Sequence, residues 1–158
     1  MNTKLRLWPL IAALACIAFT ARADVAPPPP TPEDTAANKA LVIEMFQTLF
    51  DERRVDELAD KYLTVDFIEH NPTAVNGTKG LRAFFKDYFA KNPKATFAVK
   101  RVIADGDLVL VHFHAQNGPE DRGVAGVDIF RLENGKVVEH WDVLQPIPEK
   151  SANNNTMF

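Results

Sequence analysis

Asp128, His140 and Asp142 lie in apolar strand-like segments near the C-terminus and are the groups best placed to move a proton. Asp128 sits between Val127 and Ile129, while His140 and Asp142 flank Trp141. A carboxylate among apolar residues is costly to keep ionised unless it is paired, and burial raises its pKa toward values useful to a general acid or base. Two readings follow. In one, Asp128 is a catalytic acid or base with His140 as its partner; in the other, the two form a buried hydrogen bond that only holds a hairpin. Asp142, Trp141 and Phe130 stand beside them and are read as substrate-binding.

Three further polar residues are candidates. His112 and His114 share one face of a strand with Leu108 and Leu110. An H-x-H pair of this kind could supply two metal ligands. No third ligand stands at a diagnostic spacing, so histidines that are satisfied within the fold or line a pocket are expected, with no metal. His70 and Asn71 follow Phe67-Ile68-Glu69; they either line a site or bond the backbone of a turn. A Gly-rich phosphate loop, a nucleophile elbow and an H-E-x-x-H helix are all missing from the sequence. The chemistry indicated is acid–base work on a small organic molecule, without a nucleotide cofactor.

The elements that position these groups can be read from hydrophobic spacing. A helix starting near Asp34 or Thr35 carries Leu41, Val42, Met45, Phe46, Leu49 and Phe50 at helical intervals. Val55, Leu58, Ala59 and Tyr62 suggest a second, shorter helix. After the Asn76-Gly77-Thr78 turn, Leu81, Phe84, Phe85, Tyr88 and Phe89 mark a third, which stops at Asn92-Pro93. The period then becomes strand-like over 96–104 and 107–116 around Asp105-Gly106, and over 124–132 and 136–144 around Asn134-Gly135. Helices followed by an antiparallel meander give an α+β domain. The strands over 107–116 and 124–132 are apolar on both faces, which a homodimer would explain.

The register of the last hairpin decides whether Asp128 and His140 meet. A two-residue Asn134-Gly135 turn sets Asp128 opposite Trp141. A three-residue Glu133-Asn134-Gly135 loop with Gly135 in a bulge sets Asp128 opposite His140, Phe130 opposite Val138 and Asp142 opposite Gly126. The bulged form is preferred because it gathers Asp128, His140 and Asp142 on one face, with open space beside Gly126.

The N-terminus reads as an export signal. Lys4 and Arg6 precede an apolar run from Leu10 to Phe19, and Ala21-Arg22-Ala23 fits a cleavage site. Residues 1–23 are therefore expected to be a signal peptide, too short for a membrane anchor, and the protein periplasmic or secreted. Ala13-Leu14-Ala15-Cys16 offers a rival lipoprotein site but lacks the leucine usual three positions before the cysteine. Residues 24–34, with four consecutive prolines, read as an extended linker, and 35–158 as the domain. Cleavage after Ala23 removes Lys4, Arg6 and Arg22 and no acidic residue, taking the formal charge from −3 to −6. That acidity argues against nucleic acid or anionic membranes as partners. The single cysteine leaves with the signal, so packing alone must stabilise the fold.

Tyr62-Leu63 through His70-Asn71-Pro72, Asp128-Ile-Phe-Arg131, Gly135-Lys-Val-Val-Glu-His-Trp-Asp142 and the tail Ala152-Asn-Asn-Asn-Thr-Met-Phe158 resemble the SnoaL-like branch of the nuclear transport factor 2-like superfamily, over about residues 36–158. The resemblance implies a cone-shaped α+β barrel, a curved and mostly antiparallel sheet wrapped by N-terminal helices around a deep apolar pocket. It further implies aldol condensation, cyclisation or isomerisation of a small apolar carbonyl compound, as in the polyketide cyclases. Asp128 matches their acid/base aspartate, which works without metal or cofactor; His112 and His140 as catalytic groups and His114 as a substrate-binding one would polarise the carbonyl, and His70 and Asn71 would line the mouth. The alternative is an exported, non-catalytic protein that binds a hydrophobic small molecule.

Overall fold

A computed structural model describes residues 29–158. The expected signal peptide, Cys16 and most of the proline-rich segment lie outside the described residues. Helix α1 (Pro32–Phe46) begins three residues before the expected domain boundary at 35. Thr31 caps it: its hydroxyl accepts from the Asp34 N–H while the Asp34 carboxylate accepts from the Thr31 N–H. Pro32 at the first helical position has a preset φ and no N–H to leave unpaired.

The expected stripe buries Val42, Met45, Phe46 and Leu49, but the helix does not end at Phe46. It widens into a π-helical turn over Gln47–Asp51 before α2 (Val55–Lys61). Thr48 and Tyr62, both buried, share a hydrogen bond of 3.2 Å and tie that turn to the end of α2. Helix α3 (Gly77–Lys91) follows an Asn76-Gly77 entry in which Gly77 adopts a φ of 81°. Of its apolar stripe only Phe89 is fully buried, and Phe84 remains half exposed. That stripe borders a cavity instead of a packed layer.

Five strands form one sheet in the order β1-β5-β4-β3-β2: β1 (Leu63–Glu69), β2 (Thr96–Asp105), β3 (Leu108–Gln116), β4 (Val124–Glu133) and β5 (Lys136–Pro146). The last four are the expected antiparallel meander. Strand β1 is an addition to the sequence reading, which treated its C-terminal residues as a turn; it pairs in parallel with β5. The helices precede or interrupt the sheet and cover one face, where Val109, Val111, Phe113, Phe130, Leu132 and Val137 meet α1 and α2 in a single core. The domain is thus α+β, an open curved sheet, mostly antiparallel, packed against its N-terminal helices. No described helix is long and apolar enough to cross a membrane.

The turn is the two-residue alternative, but the register beyond Leu132 matches neither expectation. Asn134 (φ 51°) and Gly135 (φ 70°) form a two-residue turn, pairing Glu133 with Lys136 and Leu132 with Val137. One extra residue on β5 then shifts the pairing, so that Arg131 meets Glu139, Phe130 meets His140 and Asp128 meets Asp142. The bulge lies in the strand, not in the turn. Gly126 consequently stands opposite Leu144 instead of Asp142. The space over it is filled, because the Phe113 ring lies where a Cβ on Gly126 would be, 2.2 Å from its Cζ.

Candidate functional site

Side chains alternate across a strand, so parity decides which polar groups face the helices. On β4 the inward positions are Gly126, Asp128, Phe130 and Leu132, all buried. On β5 the bulge restores inward parity to His140 and Asp142. On β1, Phe67 and Glu69 point the same way. Three strands thereby bring Glu69, Asp128, His140 and Asp142 together on the wall of a cavity of about 470 Å³, a volume suited to a small organic ligand. Its remaining wall is mostly apolar, with the aromatic Phe46, Phe50, Phe85, Phe97, Phe113 and Phe130 prominent. Phe50 and Phe97 stack at 3.9 Å between ring centroids.

His140 is the hub of the polar cluster. Its Nδ1 lies 2.9 and 3.0 Å from the two carboxylate oxygens of Glu69, its direct partner across the parallel β1–β5 pairing. Its Nε2 lies 3.7 Å from Asp128 Oδ1, close enough for an ion pair but too long for a hydrogen bond. That Nε2 is buried and has no hydrogen-bond partner among the described residues. Burial by itself would push the His140 pKa down, but the Asp128 and Glu69 carboxylates on its two nitrogens outweigh it and raise the value to about 10. The ring is therefore an imidazolium at neutral pH. Glu69 is held in place as well: it accepts the Asn71 N–H at 2.8 Å. Burial would raise its pKa, but the bond to His140 holds it below the ordinary carboxylate value.

Asp128 is buried, 8% exposed. Loss of water drives its pKa upward; the nearby His140 opposes that shift, and the negative charges of Asp142 and Glu69 add to it. Asp142 sits directly opposite on β5, where side-chain Cβ atoms approach within roughly 4.5–5.5 Å. Asn71 Nδ2 donates to Asp142 Oδ2 at 2.6 Å. Asn71 in turn accepts from the Thr73 N–H and hydroxyl, so the segment after β1 is a wall of the site.

Of the nine residues singled out from the sequence, Asp128, His140, Asn71, Phe130 and Asp142 line the cavity. Four do not. His112 and His114 occupy the outward positions of β3, because Val111, Phe113 and Ala115 take the inward ones. On the outer face Arg101 hydrogen-bonds His112, His114 Nε2 meets the Arg122 carbonyl at 2.8 Å, and both rings pack on Phe158. Their roles as a catalytic and a substrate-binding histidine are corrected accordingly. His70 and Trp141 also face outward, stacked on each other at 4.7 Å, and His70 Nε2 bonds Glu139 at 2.8 Å.

Glu69 is the site residue that sequence reading passed over. Its signal was present: Leu63 to Glu69 is a seven-residue run rich in β-branched and aromatic residues closed by Pro72, a strand pattern. Taking 67–72 as a turn hid it.

Comparison with known proteins agrees with this architecture. A SnoaL-like domain model matches residues 42–140. Similar solved structures include a candidate ketosteroid isomerase from Kribbella flavida (23% identity, 76% of this chain and 86% of that one, TM-score 0.63). A candidate polyketide cyclase from Bacillus cereus aligns at 17% identity over 72% of this chain and 78% of the other, with a TM-score of 0.61. A candidate isomerase of the SnoaL-like family from Agrobacterium tumefaciens aligns at 16% identity over 68% and 97%, with a TM-score of 0.57. No curated protein matches the chain. At these identities the structures establish the fold alone, whereas the domain model spans more than half of the sequence, and the chain belongs to the SnoaL-like family of the nuclear transport factor 2-like superfamily.

Proposed function

We propose that the protein is a cofactor-independent acid/base enzyme that moves a proton at the carbon next to a carbonyl group, in the manner of an isomerase, cyclase or aldol-condensing enzyme. The observation that carries this reading is Asp128, a carboxylate of raised pKa on the wall of an apolar cavity, beside an imidazolium whose Nε2–H has no acceptor. A raised pKa makes Asp128 a stronger base, better matched to a weak carbon acid than an exposed aspartate. Its carboxylate takes the α-proton, and the electron pair moves onto the carbonyl oxygen as an enolate. Asp128 then returns the proton to a different carbon, or to the alkoxide formed when the enolate attacks a second carbonyl, which becomes the product hydroxyl.

His140 supplies the positive charge. As an imidazolium it stabilises both the Asp128 carboxylate before transfer and the enolate after it, in a site of low polarity where such stabilisation is strongest. Glu69 keeps His140 charged and fixes its ring through Nδ1. The surrounding phenylalanines exclude water and bind the apolar body of the ligand. Export to the periplasm or beyond, argued from the basic start and apolar run of residues 1–23, gives the proposed setting.

Solvent deuterium exchange into 2-tetralone, a bicyclic ketone with activated α-protons, tests the reading. Followed by proton NMR, exchange should exceed the buffer rate. Saturable binding without any added exchange would instead favour the non-catalytic binding protein.

A further inference from the structure

The charges lining the cavity are unbalanced. Among the described residues, Glu69, Asp121, Asp128 and Asp142 all contribute to its wall, no lysine or arginine does, and His140 is the single basic group. Three of the four carboxylates are accounted for. Glu69 pairs with His140, and Asp128 leans on the same ring. Asp121, at the rim, accepts the N–H groups of Asn117 and Gly123. Asp142 is left with one neutral donor, Asn71 Nδ2, and no lysine, arginine or histidine nitrogen within 4 Å among the described residues. A carboxylate facing an aromatic cavity without a counter-ion is a costly arrangement, and the aromatic faces around it also favour positive charge.

We propose that the ligand is a hydrophobic amine, protonated and carried on an apolar body, with Asp142 as its counter-ion. This deepens the function proposed above and rests on its cavity, though not on its proton transfer. The ammonium would take the Asp142 oxygen not bound by Asn71, and the apolar body would lie among Phe46, Phe50, Phe97 and Phe113. An anionic ligand, whether carboxylate or phosphate, would meet carboxylates on β1, β4 and β5, and the one positive charge there, on His140, already lies beside the carboxylates of Glu69 and Asp128.

Calorimetric titration with 4-phenylbutylamine, 4-phenylbutan-1-ol and 4-phenylbutanoate at neutral pH separates charge from apolar contact. The amine should bind at least about tenfold more tightly than the alcohol, a difference within reach of one partly buried charge pair, and the carboxylate more weakly than both. Asp142→Asn should bring the amine to the level of the alcohol and leave the alcohol unchanged. Amine binding no tighter than alcohol binding overturns the proposal, as does failure of all three to bind or an amine preference that survives in Asp142→Asn. Should that variant not fold, the order of the three probes on the unmodified protein decides. Exchange into 2-tetralone without amine preference would sink this ligand class and leave the acid/base reading standing; amine preference without exchange would do the reverse.

Discussion

Asp128 and Asp142 are direct cross-strand partners on β4 and β5, two carboxylates facing one cavity with His140 beside the more buried of them. Like charges at this separation are hard to keep ionised together, and the more buried partner takes the shift. Asp128 should therefore titrate above the ordinary aspartate value. Replacing Asp142 with Asn should move that titration down. Carboxyl carbon NMR on labelled protein reads both effects; a midpoint for Asp128 indifferent to Asp142→Asn would show that the two do not communicate.

Glu69 acts through His140. Glu69→Gln keeps the shape but removes the charge at Nδ1, so the His140 pKa should fall from about 10 toward neutrality. Ring nitrogen NMR would report that fall. Exchange activity should drop by about one to two orders of magnitude, the usual scale for losing one general acid–base contribution in part. A merely structural Glu69 would alter the melting temperature and leave the His140 titration in place.

The same raised pKa couples stability to pH. A histidine with a folded-state pKa near 10 and an unfolded value near 6.5 binds its proton more tightly when folded. Its contribution is complete below about 6.5 and is lost as pH rises through about 10. Between pH 7 and pH 10 the melting temperature should fall, and His140→Gln should flatten that part of the profile. An unchanged slope in the variant would place the pH dependence elsewhere.

Much of this was legible in the chain because local rules governed it. The helical stripe from Leu41 to Phe50, the strand alternation and the two Gly-containing turns each depend on neighbours in sequence. Asp128 and His140 were expected to meet, and they do, although the register was wrong. The expected loop placed the extra residue in the turn, at Gly135, and the structure places one beyond the turn, in β5; both choices leave Asp128, His140 and Asp142 on one face. Which strand holds a bulge is settled by packing across the sheet, and spacing does not reveal it. Strand β1 escaped because its partner, β5, lies some seventy residues further on. The histidines of β3 were assigned to the cavity although Val111, Phe113 and Ala115 alternate with them, and the larger apolar side chains take the inside.

Gly126 offers a packing test. A methyl group there would collide with the Phe113 ring, a rigid side chain with no flexible end to move aside. Gly126→Ala should destabilise the fold by about 1–3 kcal/mol, the usual range for overpacking, and push Phe113 into the cavity. Urea unfolding measures the first effect; weakened 4-phenylbutan-1-ol binding measures the second.

The outer face of the sheet bears exposed Ile103, Leu108 and Val143. We expect this face to join two copies of the chain, as the two-sided apolar strands suggested. Sedimentation should show a dimer that Val143→Asp weakens. A monomer at all accessible concentrations would remove the homodimer from the account.

The central claim is that Asp128 is held in the cavity to move a proton. Asp128→Asn, compared with the unmodified protein for both 2-tetralone exchange and thermal melting, tests it most directly. The amide keeps the shape and removes the charge, so exchange should fall to the buffer rate while the melting temperature stays the same or rises by a few degrees. Retained exchange, or a clearly lower melting temperature, would contradict the claim and make Asp128 a structural partner of His140.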